Sequence, residues 1–254
     1  MTTDVIISAV LTLIAGIGIF LIACQMMSSN LESASSTRLK SLFSKASRSR
    51  LLGVGIGTVG TAAIQSSGAT TVMVIGFVNA GIMSLTQAAT IIYGANIGTT
   101  ITAQIVALGM FGGASAISTT IIFSAFAGIG AFLALFAKKD MGKKVGGTLA
   151  GFGMLFVGLS MMSGSMSDFA RLDGVKLFLS GISNPILLVL IGAVFTAIIQ
   201  SSSVMTSVAI AMLCVGLISL DQGIFITMGS NIGSCIVAII AGMTSGTNAK
   251  RTSL

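Results

Sequence analysis

Five long stretches of this chain carry no charged side chain, namely 5–31, 51–137, 145–167, 177–220 and 222–249. A helix needs roughly 20 consecutive apolar residues to cross the hydrocarbon core of a bilayer, and each stretch is long enough. Only 7% of the residues are charged, against about 25% in an ordinary soluble domain. The chain is therefore predicted to be an all-α polytopic protein of the cell membrane.

The composition also excludes several kinds of function. The chain has no His, and its six acidic residues lie at or near the ends of the predicted segments. Cys24, Cys214 and Cys235 lie in apolar segments and have neither zinc nor disulfide spacing. We therefore expect no enzyme activity, no cofactor and no metal site beyond a coupling ion. The net charge of +7 comes from short basic clusters, which indicate membrane orientation and not nucleic-acid binding.

The sequence repeats itself without a gap after 135 residues. The segment "GTVGTAAIQSSGATT" at 57–71 aligns with "GAVFTAIIQSSSVMT" at 192–206, and "GANIGTTI" at 94–101 aligns with "GSNIGSCI" at 229–236. About twenty of the 49 positions in 57–105 are identical in the second copy. A shared preference for apolar residues would not hold one register for so long, so the two copies are predicted to fold alike.

Each copy is predicted to have three parts, which are a transmembrane helix, an apolar pair of helices interrupted at Gln-Ser-Ser, and a transmembrane helix broken at Asn-Ile-Gly. The predicted bounds are about 5–27, 51–80 and 87–110 in the first copy, and about 146–166, 185–215 and 222–243 in the second. The predicted domains are accordingly a first repeat at 1–110, a linking helix and basic loop at 111–144, and a second repeat at 145–254.

The apolar pair is too short for two complete crossings. Its first arm, Leu51 to Ile64, has 14 residues and so reaches about 21 Å at 1.5 Å per residue, whereas the hydrocarbon core is about 30 Å thick. A re-entrant hairpin that turns back at the Ser cluster is therefore predicted in each copy. Pro185, which follows Asn184, fits the first position of the helix that opens the second hairpin.

The orientation follows from counting crossings. The predicted crossings at 5–27, 87–110 and about 115–137 separate the copies, and because three is odd, the second copy is inverted relative to the first. The basic clusters at 38–50 and 138–144, and the pair at 250–251, then fall on one side, which the positive-inside rule makes cytoplasmic. The N-terminus is predicted outside and the C-terminus in the cytoplasm. An amphipathic segment on the inner leaflet is predicted within 38–50.

The hairpin tips are predicted to bind an anion. Each arm that follows a Ser cluster begins a helix, whose free amide groups and positive dipole end attract negative charge. Because the copies are inverted, the two tips can meet at mid-depth and bracket one anion, as in secondary transporters. The hydroxyls that would add donors are those of Ser66, Ser67, Ser201, Ser202 and Ser203.

Amide side chains near both tips are predicted to bind a cation. Gln65, Gln200, Asn96 and Asn231 carry carbonyl oxygens, which are hard ligands suited to an ion such as Na⁺. The two Asn-Ile-Gly segments, if unwound, would expose further backbone carbonyls. The chain thus offers both halves of a cation–anion symport site.

Two Gln-Ser-Ser hairpins, each followed by G-x-N-I-G, resemble the type II sodium-dependent phosphate cotransporters and their bacterial relatives. The resemblance covers about 10–245. It implies a sodium-coupled symporter of inorganic phosphate that works by alternating access, with phosphate at the hairpin tips and sodium beside it. The phosphate ligands that it implies are Ser66, Ser67, Ser201, Ser202, Ser203, Asn96 and Asn231, and the sodium ligands are Gln65, Gln200, Thr70, Thr71, Thr99, Thr206, Asn96 and Asn231.

The chain departs from the family pattern in two respects. Gly68 stands where the family motif usually has a third Ser. Either the first tip has one donor fewer, or the glycine is needed for a positive φ or a close approach. We expect the second explanation, because hairpin tips need tight turns. Many bacterial relatives continue into a PhoU-like domain, whereas this sequence ends at Leu254. Regulation is expected to be absent or to come from a separate PhoU-like partner.

Two other functions remain open at this level. The first is a sodium-coupled transporter of another small anion, such as sulfate or a dicarboxylate. The second is a membrane phosphate sensor that transports nothing. A homodimer is compatible with so small a protein.

Overall fold

The computed structural model describes residues 2–45, 49–111, 119–243 and 246–253, and it places them in eleven α-helices. In chain order these are α1 (Thr2–Lys45), α2 (Arg50–Ile64), α3 (Ser67–Asn79), α4 (Leu85–Phe111), α5 (Thr119–Phe136), α6 (Asp140–Ala170), α7 (Asp173–Ser180), α8 (Pro185–Ile199), α9 (Ser202–Cys214), α10 (Leu220–Met243) and α11 (Thr247–Ser253). The predicted all-α class is confirmed.

Four of the helices are long and apolar enough to cross a bilayer, at Thr3–Leu31, Leu85–Met110, Asp140–Ala170 and Leu220–Met243. They correspond to four of the five predicted crossings, so the prediction of a polytopic membrane protein is confirmed. The fifth predicted crossing, about 115–137, is represented by α5, and its first residues lie outside the described part of the chain. The helices α7 and α8 are bent by 113° at the break between them.

The first helix is longer than predicted. The prediction ended it near residue 27 and placed a separate amphipathic segment at 38–50, but α1 continues without interruption to Lys45. Residues 28–45 contain neither Gly nor Pro, so no residue in this region opposes continuation of the helix. The helix α2 begins afresh because Ser49 caps it, accepting a hydrogen bond from the Leu52 amide at 3.1 Å. Residues 46–48 of the predicted segment lie outside the described residues.

The predicted breaks at Asn-Ile-Gly are wrong. Helix α4 runs unbroken through 96–98, and α10 runs unbroken through 231–233. The glycines of these motifs serve packing instead: a Cβ at Gly94 would collide with the carbonyl oxygen of Val54, and one at Gly98 would collide with that of Thr58. Glycine lets the backbones of α2 and α4 approach closely, as small residues do in membrane helix pairs.

The second copy uses the same close approach. A Cβ at Gly229 would collide with the carbonyl oxygen of Val189, and one at Gly233 would collide with that of Ala193. The first arm of each hairpin therefore lies directly against the helix that carries the Asn-Ile-Gly motif. Glycine in this motif indicates helix contact and not helix interruption.

The chain divides into two compact units that do not coincide with the sequence copies. One unit comprises Met1–Met27 and Ala103–Gly233, and the other comprises Ser28–Thr102 and Ser234–Leu254. The first unit has a core that includes Phe20, Phe156 and Met162. In the second, the first hairpin packs with α4 through Ile64, Val74, Val78 and Ile91. Each unit combines residues from both sequence copies. The boundary between the repeats is therefore not a boundary between packed units.

Local structure repeats at the interval of the sequence. Helices α2 and α8 both have 15 residues, and α3 and α9 both have 13. The turns that follow the hairpins contain Gly81 and Gly216, both with φ 71°. Corresponding segments thus adopt the same backbone, while the re-entrant course of the hairpins and the inverted topology stay predictions.

The α2–α4 contact can be tested with two glycines on one helix. A Cβ at Gly57 would collide with the carbonyl oxygen of Ile91, whereas one at Gly55 meets nothing within 4 Å. Gly57→Ala should destabilise the protein by about 1–3 kcal/mol or more through overpacking. Gly55→Ala should be neutral or stabilising by up to about 1 kcal/mol, because Ala favours helix. Thermal unfolding in detergent measures both, and equal midpoints would contradict the packing.

The inverted topology can be tested by labelling. In a background without the three native cysteines, Ser41→Cys should react with an impermeant maleimide only from the cytoplasm, and Gly174→Cys only from outside. A side chain at Gly174 meets no neighbour within 4 Å, so the label has access there. Labelling of both positions from the same side would rule out the predicted orientation.

Candidate functional site

The first hairpin reverses direction within two residues. Helix α2 ends at Ile64 and is capped by Gln65, which has left-handed backbone angles (φ 57°, ψ 21°) and donates its amide hydrogen to the Thr61 carbonyl at 2.6 Å. Ser66 is extended (φ −145°, ψ 106°), and α3 begins directly after it. A residue other than glycine in the left-handed region is uncommon and carries strain. The tip must therefore contain contacts that hold Gln65 in place.

The side chain of Gln65 supplies these contacts. Its Oε1 accepts a hydrogen bond from the Thr102 hydroxyl at 2.6 Å, and its Nε2 donates to the Ala62 carbonyl at 2.6 Å. The first bond joins the tip to α4, and the second closes the last turn of α2. Gln65 therefore clamps the turn between α2 and α3 through these two hydrogen bonds. Its assignment as a sodium ligand stays a prediction.

The two arms are also joined by hydroxyls behind the tip. Thr61 on α2 donates to Thr70 Oγ1 on α3 at 3.0 Å, and Thr70 donates to the Ser66 carbonyl at 3.1 Å. Both threonines are fully buried, with 0% exposure. Since the Thr70 hydroxyl is occupied in this way, its observed role is to hold the arms together, and its assignment to sodium stays a prediction.

The start of α3 presents donors at the tip. The Ser66 Oγ accepts from the Ala69 amide at 3.1 Å and caps the helix. The amides of Ser67 and Gly68 lie in the first turn, where a helix has no internal acceptor for them. Together with the positive end of the helix dipole, they form an environment that favours an anion.

A cavity of about 360 Å³ opens beside this helix start. It brings together three of the predicted site residues, Ser67, Thr71 and Asn96, which lie on α3 and α4. The second half of α10 contributes Ser234 and Cys235. The rest of the lining comprises Gly68, Tyr93, apolar side chains of α4 and α10, and Arg251, Thr252 and Ser253 of α11.

The second hairpin has the same backbone at its tip. Gln200 is left-handed (φ 58°, ψ 24°), and Ser201 caps α9 by accepting from the Val204 amide at 3.5 Å. Ser202 and Ser203 are the first two residues of α9, as Ser67 and Gly68 are of α3, so their backbone amides are equivalent. Both tips thus present first-turn donors in the same local geometry.

The second tip is held by different side chains. Thr196 donates to Ser230 Oγ at 2.9 Å, and Ser230 donates to the Ser202 carbonyl at 3.2 Å. The position equivalent to Thr102 is Val237, which has no hydroxyl to offer a glutamine, and Gln200 is exposed. The Gln65 clamp is therefore replaced here by a Thr–Ser chain that joins both arms to α10.

The remaining predicted residues have individual surroundings. Thr99 donates to the Ala95 carbonyl at 3.0 Å within α4, and the Ser203 carbonyl accepts from Ser207 at 2.7 Å within α9. Thr206 is half-buried and Asn231 is exposed. Their roles toward phosphate or sodium stay predictions.

The expectation about Gly68 is wrong. Its φ is not positive. Among the described residues, the glycines with positive φ are Gly81 and Gly216, in the turns after the hairpins, and the other residues with positive φ are Gln65 and Gln200. A Cβ at Gly68 would lie 3.7 Å from Val237 Cγ1, which is ordinary contact. The tight turn is made three residues earlier, by the clamped Gln65, so a side chain fits at position 68.

Sequence reasoning missed two groups of residues. The clamping hydroxyls of Thr61, Thr102, Thr196 and Ser230 lie in apolar segments, where a lone hydroxyl usually satisfies its own helix backbone. Arg251 was assigned to the cytoplasmic basic residues that set topology. The sequence has no local signal that α11 folds back along α3, because that contact is made between residues far apart in the chain.

Comparison with known proteins identifies the family. The family model described as Na⁺/Pi-cotransporter matches residues 19–164 and 161–251. The "Uncharacterized protein YqeW" of Bacillus subtilis is 33% identical over 78% of this chain and 61% of its own length. The "Putative inorganic phosphate export protein YjbB" of Escherichia coli is 28% identical over 85% of this chain and 38% of its own length.

A third relative is the human "Sodium-dependent phosphate transport protein 2B", which is 44% identical over 27% of this chain and 10% of its own length. The chain thus spans less than two thirds of the length of each of these relatives. No solved structure gives a significant match. Since the family model covers most of the sequence in two successive matches, the chain belongs to the Na⁺/Pi-cotransporter family.

Proposed function

We propose that this protein carries inorganic phosphate across the membrane in symport with sodium, by alternating access, and holds the anion at the Gln-Ser-Ser tips. The family and the names of the relatives support phosphate as the cargo. The observation that carries the proposal is the first tip itself. There, a clamped left-handed Gln65 and a capping Ser66 leave first-turn donors beside a cavity lined by Ser67.

The tip suits a phosphate chemically. Phosphate oxygens are strong acceptors, and the first turn of α3 offers amide donors and the Ser67 hydroxyl at the positive end of a helix. A hydrogen bond to a charged group contributes about 1.5–3 kcal/mol. Several such bonds can replace the water that the anion gives up. Ser202 and Ser203 have the same local geometry, so the second tip is included in the proposal. That the two tips bind one anion together is inferred from the predicted inversion of the sequence copies.

Sodium fits the oxygen ligands near the tips. Amide carbonyls and hydroxyls are neutral, so each bound Na⁺ adds a charge that the cargo can balance. One HPO₄²⁻ with two Na⁺ is neutral, which matters because an unbalanced charge is costly inside a membrane. The sequence has no His, and its acidic residues lie at or near the segment ends. A sodium-driven cycle therefore suits this chain better than a proton-driven one.

A specific observation favours a second candidate, which is phosphate export. One relative bears the printed name of an inorganic phosphate export protein. The direction of net transport depends on the gradients as well as on the protein, so the same tip chemistry serves both. Assays in which the sodium gradient points inward and then outward separate the two candidates.

The proposal is tested with purified protein in liposomes. Uptake of radiolabelled phosphate should be saturable and should require an inward sodium gradient, and equimolar choline should not replace sodium. Sulfate and succinate should compete poorly. Uptake that is indifferent to sodium would overturn the coupling, and equal competition by sulfate would favour the rival anion transporter. The absence of any transport, with phosphate binding retained, would favour a sensor.

The tip serines provide the sharpest mutational test. Ser67→Ala and Ser202→Ala should each raise the KM for phosphate roughly tenfold or more, because each removes a hydrogen bond to a charged ligand. Thr100→Ala is a matched control, since Thr100 is exposed on α4 and its hydroxyl only donates to the Ile97 carbonyl at 2.8 Å. Unchanged uptake kinetics in both serine variants would remove the tips from the site.

The Gly68→Ser variant tests whether the first tip lacks a donor. The structure leaves room for the new side chain, because a Cβ there makes only ordinary contact with Val237. We expect unchanged thermal stability and a KM for phosphate lowered by about threefold or more, since the added hydroxyl supplies one further donor. A misfolded variant would contradict the geometry at position 68. A stable variant with unaltered KM would show that the added hydroxyl does not reach the anion.

A further inference from the structure

The short helix α11 is fixed against the second compact unit. Ala249 is fully buried, at 0% exposure, and packs against Ile75 of α3 and Ala238 of α10. The Gly246 amide at its start donates to Asn79 Oδ1 at 3.1 Å. Near its end, Ser253 lies directly on the backbone of α10 at Gly242. Contacts at both ends and in the middle hold this helix along α3.

This docking places Arg251 at the cavity beside the first tip. Arg251 lines the cavity together with Ser67, Thr71 and Asn96. Among the described residues that line it, Arg251 is the only one with a charged side chain. The neighbouring Lys250 is exposed and does not line it. The ion pairs found among the described side chains do not involve Arg251.

The charge of Arg251 and the helix start act in the same direction. The first turn of α3 presents amide hydrogens and a positive dipole end, and the Arg251 guanidinium adds a full positive charge. Both raise the concentration of an anion in the cavity. Because Arg251 is exposed, solvent and salt screen its field, with a Debye length of about 8 Å at physiological ionic strength. Its effect is therefore moderate and sensitive to salt.

We propose that Arg251 is an anion-recruiting residue of the cavity at the first tip, and that α11 is the element that positions it there. This rests on the proposed function, because it assigns a residue to the path of the same phosphate. The chemistry recognised is a phosphate dianion in the cavity. A lipid phosphate headgroup offers similar chemistry to the guanidinium, and the experiment separates the two sources.

The first readout is protection of Cys235, which lines the same cavity. The full chain, with Cys24 and Cys214 replaced, is placed in nanodiscs of phosphatidylcholine, and N-ethylmaleimide labelling is followed as inorganic phosphate and sodium are added. Phosphate should protect Cys235 from labelling. Arg251→Gln should raise the half-protecting phosphate concentration about fivefold, as expected for the loss of an exposed charge. Lys250→Gln, on the same helix but outside the cavity, should leave it unchanged.

The second readout is sodium-driven uptake. Arg251→Gln should raise the KM for phosphate by a similar factor and leave kcat unchanged, and Arg251→Lys should restore most of the KM, because charge alone is needed. The difference between Arg251→Gln and the parent protein should shrink when choline chloride raises the ionic strength. A structural role for Arg251 would instead lower kcat or stability and would show no dependence on salt.

The outcomes distinguish the two levels of inference. If the parent protein shows neither protection nor uptake, the proposed function fails and Arg251 loses its role with it. If the parent shows both, and Arg251→Gln has the same half-protecting phosphate concentration and KM as the parent or as Lys250→Gln, only the role of Arg251 is overturned. Uptake by the parent without protection of Cys235 would also overturn only the role of Arg251. An effect of Arg251→Gln that appears only when phosphatidylglycerol is added would assign the residue to lipid headgroups and would also overturn it.

Discussion

The hydrogen bonds that hold Gln65 in its left-handed conformation are the contacts on which the first tip depends. A reversal between two apolar helices leaves backbone groups unpaired at both helix ends, and such groups are costly away from water. Here the Thr102 hydroxyl and the Ala62 carbonyl fix the glutamine side chain, while Ser66 caps the next helix. Because the turn is completed in two residues, the first amides of α3 remain open to a ligand instead of being used by the turn itself.

The two tips show how one backbone can be kept by different side chains. Both glutamines have the same backbone angles within a few degrees, yet Gln65 is clamped by Thr102, while the second tip depends on Thr196 and Ser230. The requirement common to both is a polar group from the neighbouring long helix that bonds to the tip. Close contact between each first arm and that helix, through the glycines of the Asn-Ile-Gly motifs, is what brings such a group within reach.

Sequence reasoning was reliable where the signal is local and repeated. The membrane class and the bounds of the hairpin arms followed from apolar length and from the doubled Gln-Ser-Ser, whereas the capping role of Ser66 and Ser201 was not predicted. It failed where one residue type has two uses. The glycines around Asn96 can interrupt a helix or permit close packing, and only the partner helix decides between them. Gly68 was credited with a turn that Gln65 makes, because a left-handed glutamine is too rare to predict without seeing its clamp. The position of Arg251 depends on a contact with α3 that no local pattern encodes.

The placement of charge suits a site that must release what it binds. Burying an arginine at the tip itself would require a large desolvation cost, and an anion paired with it there would leave slowly. Arg251 instead lies exposed at the cavity, on a helix held by apolar packing and by the Gly246–Asn79 hydrogen bond. Its guanidinium is accessible to water, so in the proposed role it raises the local concentration of an anion without holding it tightly. The groups nearest the tip are neutral donors, and in the proposed function their bonds to phosphate would be exchanged for bonds to water when the anion leaves. Recruitment by a screened charge and binding by neutral donors are thus assigned to different elements, α11 and the start of α3.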